Sequence, residues 1–83
     1  MSTIVRTTKQ LGATLRRYRR QKKLTQLALG NLMHARQATV SKLESGGRSM
    51  QLGILIDALA ALDLELVVRP RTKAAAQEIE ELF

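Results

Sequence analysis

The stretch "LTQLALGNLMHARQATVSKLESG", Leu24–Gly46, decides the fold of this chain. Its apolar residues recur at helical spacing in two short blocks, which predict helices over about residues 26–33 and 36–44. Between them "MHAR" interrupts the periodicity and predicts a tight turn, in which His34 takes a left-handed backbone conformation. The inward-facing residues predicted for the two helices are Leu29, Leu32 and Met33, then Ala35, Val40 and Leu43.

Two further helical patterns flank this pair. Thr7-x-x-Gln10 forms a capping box before apolar residues at helical spacing, so a helix is predicted over about residues 8–22. After Gly46-Gly47 ends the third helix, Ser49 is predicted to cap a fourth over about residues 50–62. The predicted buried stripe of the fourth helix is Leu52, Leu55, Ile56, Leu59 and Leu62. The fold class is therefore mainly α, a compact four-helix domain.

The sequence period changes to two after the fourth helix. Residues alternate through "LELVVR", residues 64–69, and Pro70 closes the run, so one strand is predicted here. Because a lone strand lacks a partner in its own chain, we expect it to pair with the same strand of a second molecule in a homodimer. Antiparallel pairing centred on Val67 sets Glu65 opposite Arg69. The predicted dimer strand is Leu64, Glu65, Leu66, Val67, Val68 and Arg69.

These elements divide the chain into a helical domain with its dimerisation strand, residues 1–70, and a tail, residues 71–83. The tail contains "TKAAAQEIEELF", which favours a short helix or a disordered terminus. A helix here would present one small apolar face, a candidate for docking on the dimer or on a partner protein. The residues of that face are Ile79, Leu82 and Phe83.

Charge is distributed unevenly along the chain. Residues 1–49 hold 11 Lys or Arg and a single acidic residue, Glu44, whereas residues 50–83 hold 3 basic and 6 acidic residues. A basic half favours a polyanion as partner, either nucleic acid or an anionic membrane. One Tyr and one Phe are too few for a surface that stacks single-stranded bases, which favours duplex DNA.

Composition excludes several classes of protein. Without cysteine and with one histidine, the chain has no disulfide framework, no zinc site and no histidine-based triad. No apolar run approaches the roughly 20 residues of a membrane-spanning helix, and the N-terminus lacks the apolar core of a signal peptide. We therefore expect a cytoplasmic protein that is not an enzyme, binds no cofactor or metal, and associates with the nucleoid through its DNA site.

Two short helices joined by a tight turn form helix-turn-helix geometry, in which the second helix lies in the major groove of DNA. Arginine reads guanine, glutamine reads adenine, and a small apolar residue contacts thymine. The candidate base-contacting residues are Arg36, Gln37, Ala38, Ser41 and Lys42. Helix-start N–H groups suit a phosphate. The candidate phosphate contacts are Thr25, Gln26, Arg16, Thr39 and Arg48.

The residues "LRRYRRQKKLTQLALGNLMHARQATVSKLESG", Leu15–Gly46, resemble the Cro/C1-type (XRE) helix-turn-helix family. The motifs that match are L-R-x-x-R at residues 15–19, L-T-Q at 24–26, and T-V-S-x-x-E at 39–44. The chain departs from the family pattern at Gly30, where alanine is usual. The resemblance implies that Arg19 pairs with Glu44, and a bidentate pair there would tie the first helix to the third.

The single strand and the short tail make the chain most similar to the HipB-like antitoxins of this family. That resemblance implies a homodimer on palindromic operator DNA that represses its own operon and holds a HipA-like serine/threonine kinase toxin. Two alternatives remain at this point: a stand-alone phage-type or chromosomal repressor without a toxin, and a basic scaffold or membrane-surface protein. A preference for one operator sequence would exclude the last of these, and a neighbouring kinase gene would favour the antitoxin.

Overall fold

A computed structural model describes residues 3–71, which form four α-helices. In chain order the helices are α1 (Thr8–Gln21), α2 (Gln26–Leu32), α3 (Gln37–Glu44) and α4 (Leu52–Ala61). α3 packs against both α1 and α2, and α4 packs against α2. The mainly α, four-helix fold predicted from the sequence is confirmed. Residues 72–83, with the proposed apolar docking face of the tail, lie outside the described residues.

The first two helices begin at threonine caps. The Thr7 hydroxyl accepts a hydrogen bond from Gln10 N at 3.0 Å, and the Thr25 hydroxyl accepts one from Ala28 N at 3.0 Å. The Gln10 side chain also turns back, but it accepts from Arg6 N at 2.7 Å rather than from the cap residue itself. Each cap satisfies an N–H that has no partner within its own helix, which fixes where α1 and α2 start.

Three helices are followed by a residue in the left-handed conformation that is not glycine: Lys23 (φ 58°), His34 (φ 56°) and Asp63 (φ 61°). The residue after His34 then donates from Ala35 N to Gly30 O at 2.8 Å. This is the backbone bond of a Schellman ending, which satisfies a carbonyl of the last helical turn. The left-handed turn predicted at His34 is confirmed, whereas the left-handed residues Lys23 and Asp63 were not predicted.

The core is one cluster of aliphatic residues to which all four helices contribute. Its largest fully buried side chains, Leu15, Leu29, Val40 and Leu62, are at most 1% exposed. The buried hydrophobic residues are Leu15, Leu29, Met33, Val40, Leu43, Leu55, Ala58, Leu59 and Leu62. The core packs against one side of α3 and of the turn before it, so the opposite side of both faces solvent.

α4 differs from the sequence prediction at its start and on one side. It begins after Gln51 and not after a Ser49 cap. Leu52 and Ile56, both predicted to be buried, are 64% and 43% exposed. The sequence "LGILIDALAA" is apolar almost all the way round the helix, so its periodicity could not identify which side faces the core.

One prediction about burial near the turn was also wrong, and one half-buried residue lies in a different element from the one predicted. Leu32, in the last turn of α2, is 57% exposed. Ala35 is half-buried, but it lies in the turn and not on the inner side of α3, because Arg36 is the N-cap and the helix starts at Gln37.

Residues 65–71 have no regular secondary structure, so the strand predicted over residues 64–69 is not formed within the described part of the chain. Leu64 packs partly against the core. Leu66 and Val68 are 53% and 92% exposed in the single chain. A strand needs a hydrogen-bonded neighbour, and residues 3–71 contain no other strand to supply one. Pairing with a second molecule stays a prediction.

Candidate nucleic-acid interface

α3 turns one side to the core and the other to solvent. Val40 and Leu43 are 0% and 4% exposed, and they hold the helix against its neighbours. The five residues predicted to contact bases are all exposed: Arg36, Gln37, Ala38, Ser41 and Lys42. Arg36 is the N-cap and has extended backbone (φ −80°, ψ 154°). Arg36 and Gln37 therefore stand at the start of the helix, where a recognition helix approaches base edges.

Gly30 lets α2 approach the turn that leads into α3. An ideal Cβ at Gly30 would lie 2.8 Å from Ala35 O, a distance that real Cβ atoms essentially never show. The turn therefore passes too close to α2 for a methyl group. This contact gives a structural reason for glycine at position 30.

Two glycines bring α1 directly against the C-terminal end of α3. An ideal Cβ at Gly12 would lie 2.6 Å from Glu44 O, and one at Gly46 would lie 2.6 Å from Lys9 Cα. Gly46 also has φ 75°, in the left-handed region that glycine adopts most readily. Because backbone meets backbone on both sides, direct contact fixes the position of α3 relative to α1.

The single carboxylate of the first 49 residues, Glu44, is paired with Arg19. Arg19 Nε donates to Glu44 Oε2 at 2.6 Å, and Arg19 Nη2 donates to Glu44 Oε1 at 3.0 Å. Arg19 Nη1 donates to Leu24 O at 2.7 Å. The two side chains are 10% and 4% exposed, and the hydrogen bond to Glu44 raises the pKa of Arg19. This bidentate pair links α1 to the end of α3 and keeps the carboxylate from presenting an unpaired negative charge.

The start of α2 lies beside this ion pair. Gln26 Nε2 donates to Glu44 Oε1 at 3.2 Å, which leaves the second hydrogen of the amide for another acceptor. The Thr25 hydroxyl oxygen accepts from the backbone, and its hydrogen can still be donated outward. The first N–H groups of α2 point in the same direction, because a helix start lacks internal acceptors for them. Together these donors suit an anion at the N-terminal start of α2.

The other three predicted phosphate contacts lie at different places around α3. Arg16 is exposed on α1, Arg48 is exposed in the connection to α4, and Thr39 is half-buried within α3. Thr39 borders a shallow groove between the turn and α4, together with His34 and Arg36. Arg16 lines a separate groove between α1 and the end of α3. The structure thus places candidate phosphate donors on more than one side of the exposed face of α3.

Some features of this surface were not predicted from the sequence. Ser45, one helical turn after Ser41, extends the exposed side of α3 and donates from its hydroxyl to Lys42 O at 2.6 Å. The close contact at Gly12 was also missed. A signal existed for it, because glycine inside a helix costs about 1 kcal/mol relative to alanine and so suggests a packing reason.

Electrostatics of the described surface is dominated by cations. Of the 14 Lys and Arg residues, 11 lie in residues 1–49, beside or within the helix-turn-helix. Among residues 3–71, no three His, Cys, Asp or Glu side chains come together as metal ligands. In the same part of the chain, every helix is too short or too polar to span a bilayer.

Comparison with known proteins gives a family and a fold. A family model described as a helix-turn-helix domain matches residues 10–71. The chain is similar to one in the "HipA-HipB-O2-O3 complex", with 22% identity, TM-score 0.79, and coverage of 86% of this chain and 100% of that one. It is similar to one in the "HipB-O4 20mer complex", with 22% identity, TM-score 0.80, and coverage of 86% and 100%. No curated protein matches the chain. At this identity the likeness to HipB is one of fold.

Proposed function

Since the chain belongs to the helix-turn-helix domain family, we propose that it is a sequence-specific repressor that binds duplex DNA as a homodimer. The observation that carries this proposal is the exposed face of α3. It combines an arginine, a glutamine, an alanine, a serine and a lysine on a helix that is held rigidly from behind. These side chains do not form a typical pair of nucleophile and general base, whereas all of them are suited to contact base edges or phosphates. The proposal is therefore a regulator and not an enzyme.

Each residue of this face has a role in readout. Arg36 and Gln37, at the start of α3, would form the bidentate contacts to guanine and to adenine. Ala38 would contact a thymine methyl, and its small side chain lets the helix backbone approach the bases. Ser41 would donate to or accept from either base pair, and Lys42 would contact a guanine or an adjacent phosphate.

Phosphate contacts would set the orientation of α3 in the groove. The amide of Gln26, the hydroxyl of Thr25 and the N–H groups at the start of α2 would bind one phosphate. Further contacts would come from Arg16, Thr39 and Arg48. The pairing of Arg19 with Glu44 supports this arrangement, because an unpaired carboxylate beside Gln26 would repel the phosphate.

A dimer would present two copies of α3 to a palindromic operator, about 34 Å apart. The exposed apolar residues after α4 support such a dimer, since Leu66, Val67 and Val68 are 53%, 66% and 92% exposed. Exposed apolar residues in a run favour an interaction site. Antiparallel pairing of residues 64–69 across the two-fold axis would cover them and satisfy their backbone N–H and C=O groups.

We further propose that the protein is the antitoxin of a HipA-like serine/threonine kinase and represses the operon that encodes both. Two features support this: the fold is that of HipB chains, one of which is in a complex with HipA, and the predicted strand and short tail resemble those of the HipB-like antitoxins. The kinase would bind a surface that leaves α3 free for DNA. In the absence of a kinase partner, the same DNA-binding surface would serve a stand-alone repressor.

DNA binding is tested first with the purified protein and duplexes from the region upstream of its own gene. We expect one duplex to bind at least 100-fold more tightly than a shuffled duplex of the same composition, with two protomers per duplex. The same experiment is repeated in the presence of anionic vesicles, because a membrane-surface protein would show no preference for the operator. Equal affinity for operator and shuffled duplex would contradict the proposal of a sequence-specific repressor.

The kinase partner is tested separately, by isolating the tagged chain from its native host at physiological salt after nuclease treatment. We expect a protein with serine/threonine kinase activity in stoichiometric amount, encoded beside this chain. Operator binding without such a partner would leave the repressor proposal intact and would contradict the antitoxin proposal.

A further inference from the structure

A second cationic feature lies beside the recognition helix, on α1. Lys9, Arg16 and Arg20 are exposed and line a groove between α1 and the C-terminal end of α3, together with Ala13 and Ser45. Only Arg16 was a candidate phosphate contact in the sequence. We refer to these five residues as the α1–α3 groove.

Within residues 3–71, the cations of this groove form no salt bridge. Glu44 borders the groove, but its carboxylate is only 4% exposed and is engaged by Arg19 and Gln26. The Arg19–Glu44 pair is the one salt bridge within residues 3–71. Arg17, at the edge, is held elsewhere, since it donates to the Thr3 hydroxyl at 2.9 Å and lies 5.5 Å from the Tyr18 ring. The groove therefore favours an anionic ligand.

The dimensions and rigidity of the groove suit a chain of phosphates. Lys9 and Arg20 are eleven residues apart on one helix, which is about 16 Å along its axis. A groove of this length is long enough to contact more than one successive phosphate of a DNA strand. The glycine contacts at Gly12 and Gly46 hold α1 against α3, so the groove has a fixed position relative to the residues that read bases.

The groove does not resemble a protein-binding surface. The exposed large hydrophobic residues of the described chain are Ile4, Leu27, Leu32, Leu52, Ile56, Leu66, Val67 and Val68, and none of them lines the groove. Stable protein interfaces are built around buried apolar or aromatic anchors. A cationic groove without such an anchor fits a nucleic-acid backbone.

We propose that the α1–α3 groove is a second phosphate-binding site, in which Lys9, Arg16 and Arg20 bind successive phosphates of the operator strand that passes the C-terminal end of α3. The small side chain of Ala13 leaves room for the backbone between the cations, and the Ser45 hydroxyl lies beside it. This inference rests on the proposed DNA-binding function and adds a backbone contact to the one at the start of α2.

The first experiment compares two double variants of the full chain that each lose two positive charges. Lys9→Gln/Arg20→Gln removes two cations from the groove, whereas Arg6→Gln/Lys22→Gln removes two exposed cations near the ends of α1 that do not line it. Four lost phosphate contacts per dimer would reduce the salt slope by about 3 to 4. Between 50 and 200 mM salt, we therefore expect the affinity of wild type to fall about 100-fold more than the affinity of the groove variant. The affinity of the control variant should fall about as much as that of wild type.

The second experiment adds charge instead of removing it. Ala13→Glu places a carboxylate in the groove, and Ala60→Glu places one at an exposed alanine of α4. We expect Ala13→Glu to weaken operator binding at least tenfold at 100 mM salt and Ala60→Glu to weaken it less than twofold. Circular dichroism and the urea midpoint verify that each variant is folded.

Replacement of single operator phosphates by neutral methylphosphonates locates the contact. Wild type should lose affinity at a set of adjacent phosphates, and Lys9→Gln/Arg20→Gln should no longer respond at those positions. Equal salt slopes for the two double variants, with an unchanged methylphosphonate profile, would overturn the groove proposal even if operator preference is normal. Absence of operator preference in the wild type would instead overturn the proposed function, so the two failures are distinguishable.

Discussion

Glu44→Gln should destabilise the protein by about 3 kcal/mol, although it changes one oxygen to nitrogen. Arg19 is 8% exposed, and the Glu44 side chain is 4% exposed. The carboxylate accepts two of the three hydrogen bonds that Arg19 makes, at 2.6 and 3.0 Å. The amide can accept only one of them and leaves the guanidinium charge uncompensated. Removal of one partner from a buried ion pair costs about 3–5 kcal/mol.

The measurement is urea unfolding at fixed protomer concentration, since dimer formation couples stability to concentration. With a slope of about 1 kcal/mol/M for a chain of this size, the midpoint should fall by about 3 M. Asp57→Asn, at an exposed position of α4, is the matched control and should change stability by at most about 0.5 kcal/mol. Arg19→Met/Glu44→Leu should be more stable than Glu44→Gln, because no unpaired charge is left buried. A Glu44→Gln midpoint within about 0.5 M of the control would refute this reasoning.

Three further predictions follow from packing and assembly. Gly12→Ala should destabilise the protein by about 1–3 kcal/mol, because its methyl group would clash with Glu44 O. Gly53→Ala, at a position with open space around it, should stabilise the protein by up to about 1 kcal/mol. Urea midpoints that shift in the same direction for both variants would contradict the close contact at Gly12. Val67→Pro should abolish the dimer and tight palindrome binding while α1–α4 stay folded, as judged by sedimentation, and a dimeric variant with unchanged operator affinity would remove the strand model. Truncation after Arg71 should weaken kinase or dimer binding if the tail docks through Ile79, Leu82 and Phe83, and unchanged sedimentation and co-purification would exclude that role.

The sequence was sufficient to predict features that depend only on residues close together in the chain. Thr7 predicted the start of α1, because a hydroxyl at an N-cap satisfies a free N–H, and Thr25 caps α2 in the same way. The turn at His34 was predicted from the break in periodicity between two amphipathic blocks. The exposed face of α3 followed from the burial of Val40 and Leu43 at helical spacing.

Other features depend on tertiary contacts that local patterns do not specify. The apolar residues of α4 outnumber the positions that face the core, so Leu52 and Ile56 could not be distinguished from Leu55 and Leu59 by period alone. α4 starts after Gln51 and not after the expected Ser49 cap, because residues 48–49 form a turn. A strand over residues 64–69 requires a partner, and a pattern of period two cannot specify whether that partner is in the same chain.

The candidate site likewise combines features that the sequence indicated with features that depend on the fold. The Arg19–Glu44 contact was implied by family resemblance, and the distances of 2.6 and 3.0 Å place the two residues together. The α1–α3 groove was not anticipated, because Lys9 and Arg20 come close to Ser45 only when Gly12 and Gly46 let the two backbones touch. Cationic residues in a sequence indicate a polyanion, whereas their arrangement into a groove needs the fold.

The most direct test of the account is the base-preference profile of the protein, measured on duplexes that carry every single base substitution of the operator. Wild type should discriminate at symmetric positions in the two half-sites, and Gln37→Ala should lose about 1–3 kcal/mol of discrimination at one adenine per half-site while keeping it elsewhere. Asn31→Ala, an exposed amide on α2, should leave the profile unchanged. A Gln37→Ala profile identical to that of wild type, with preference retained at every position, would contradict the claim that α3 reads the DNA sequence.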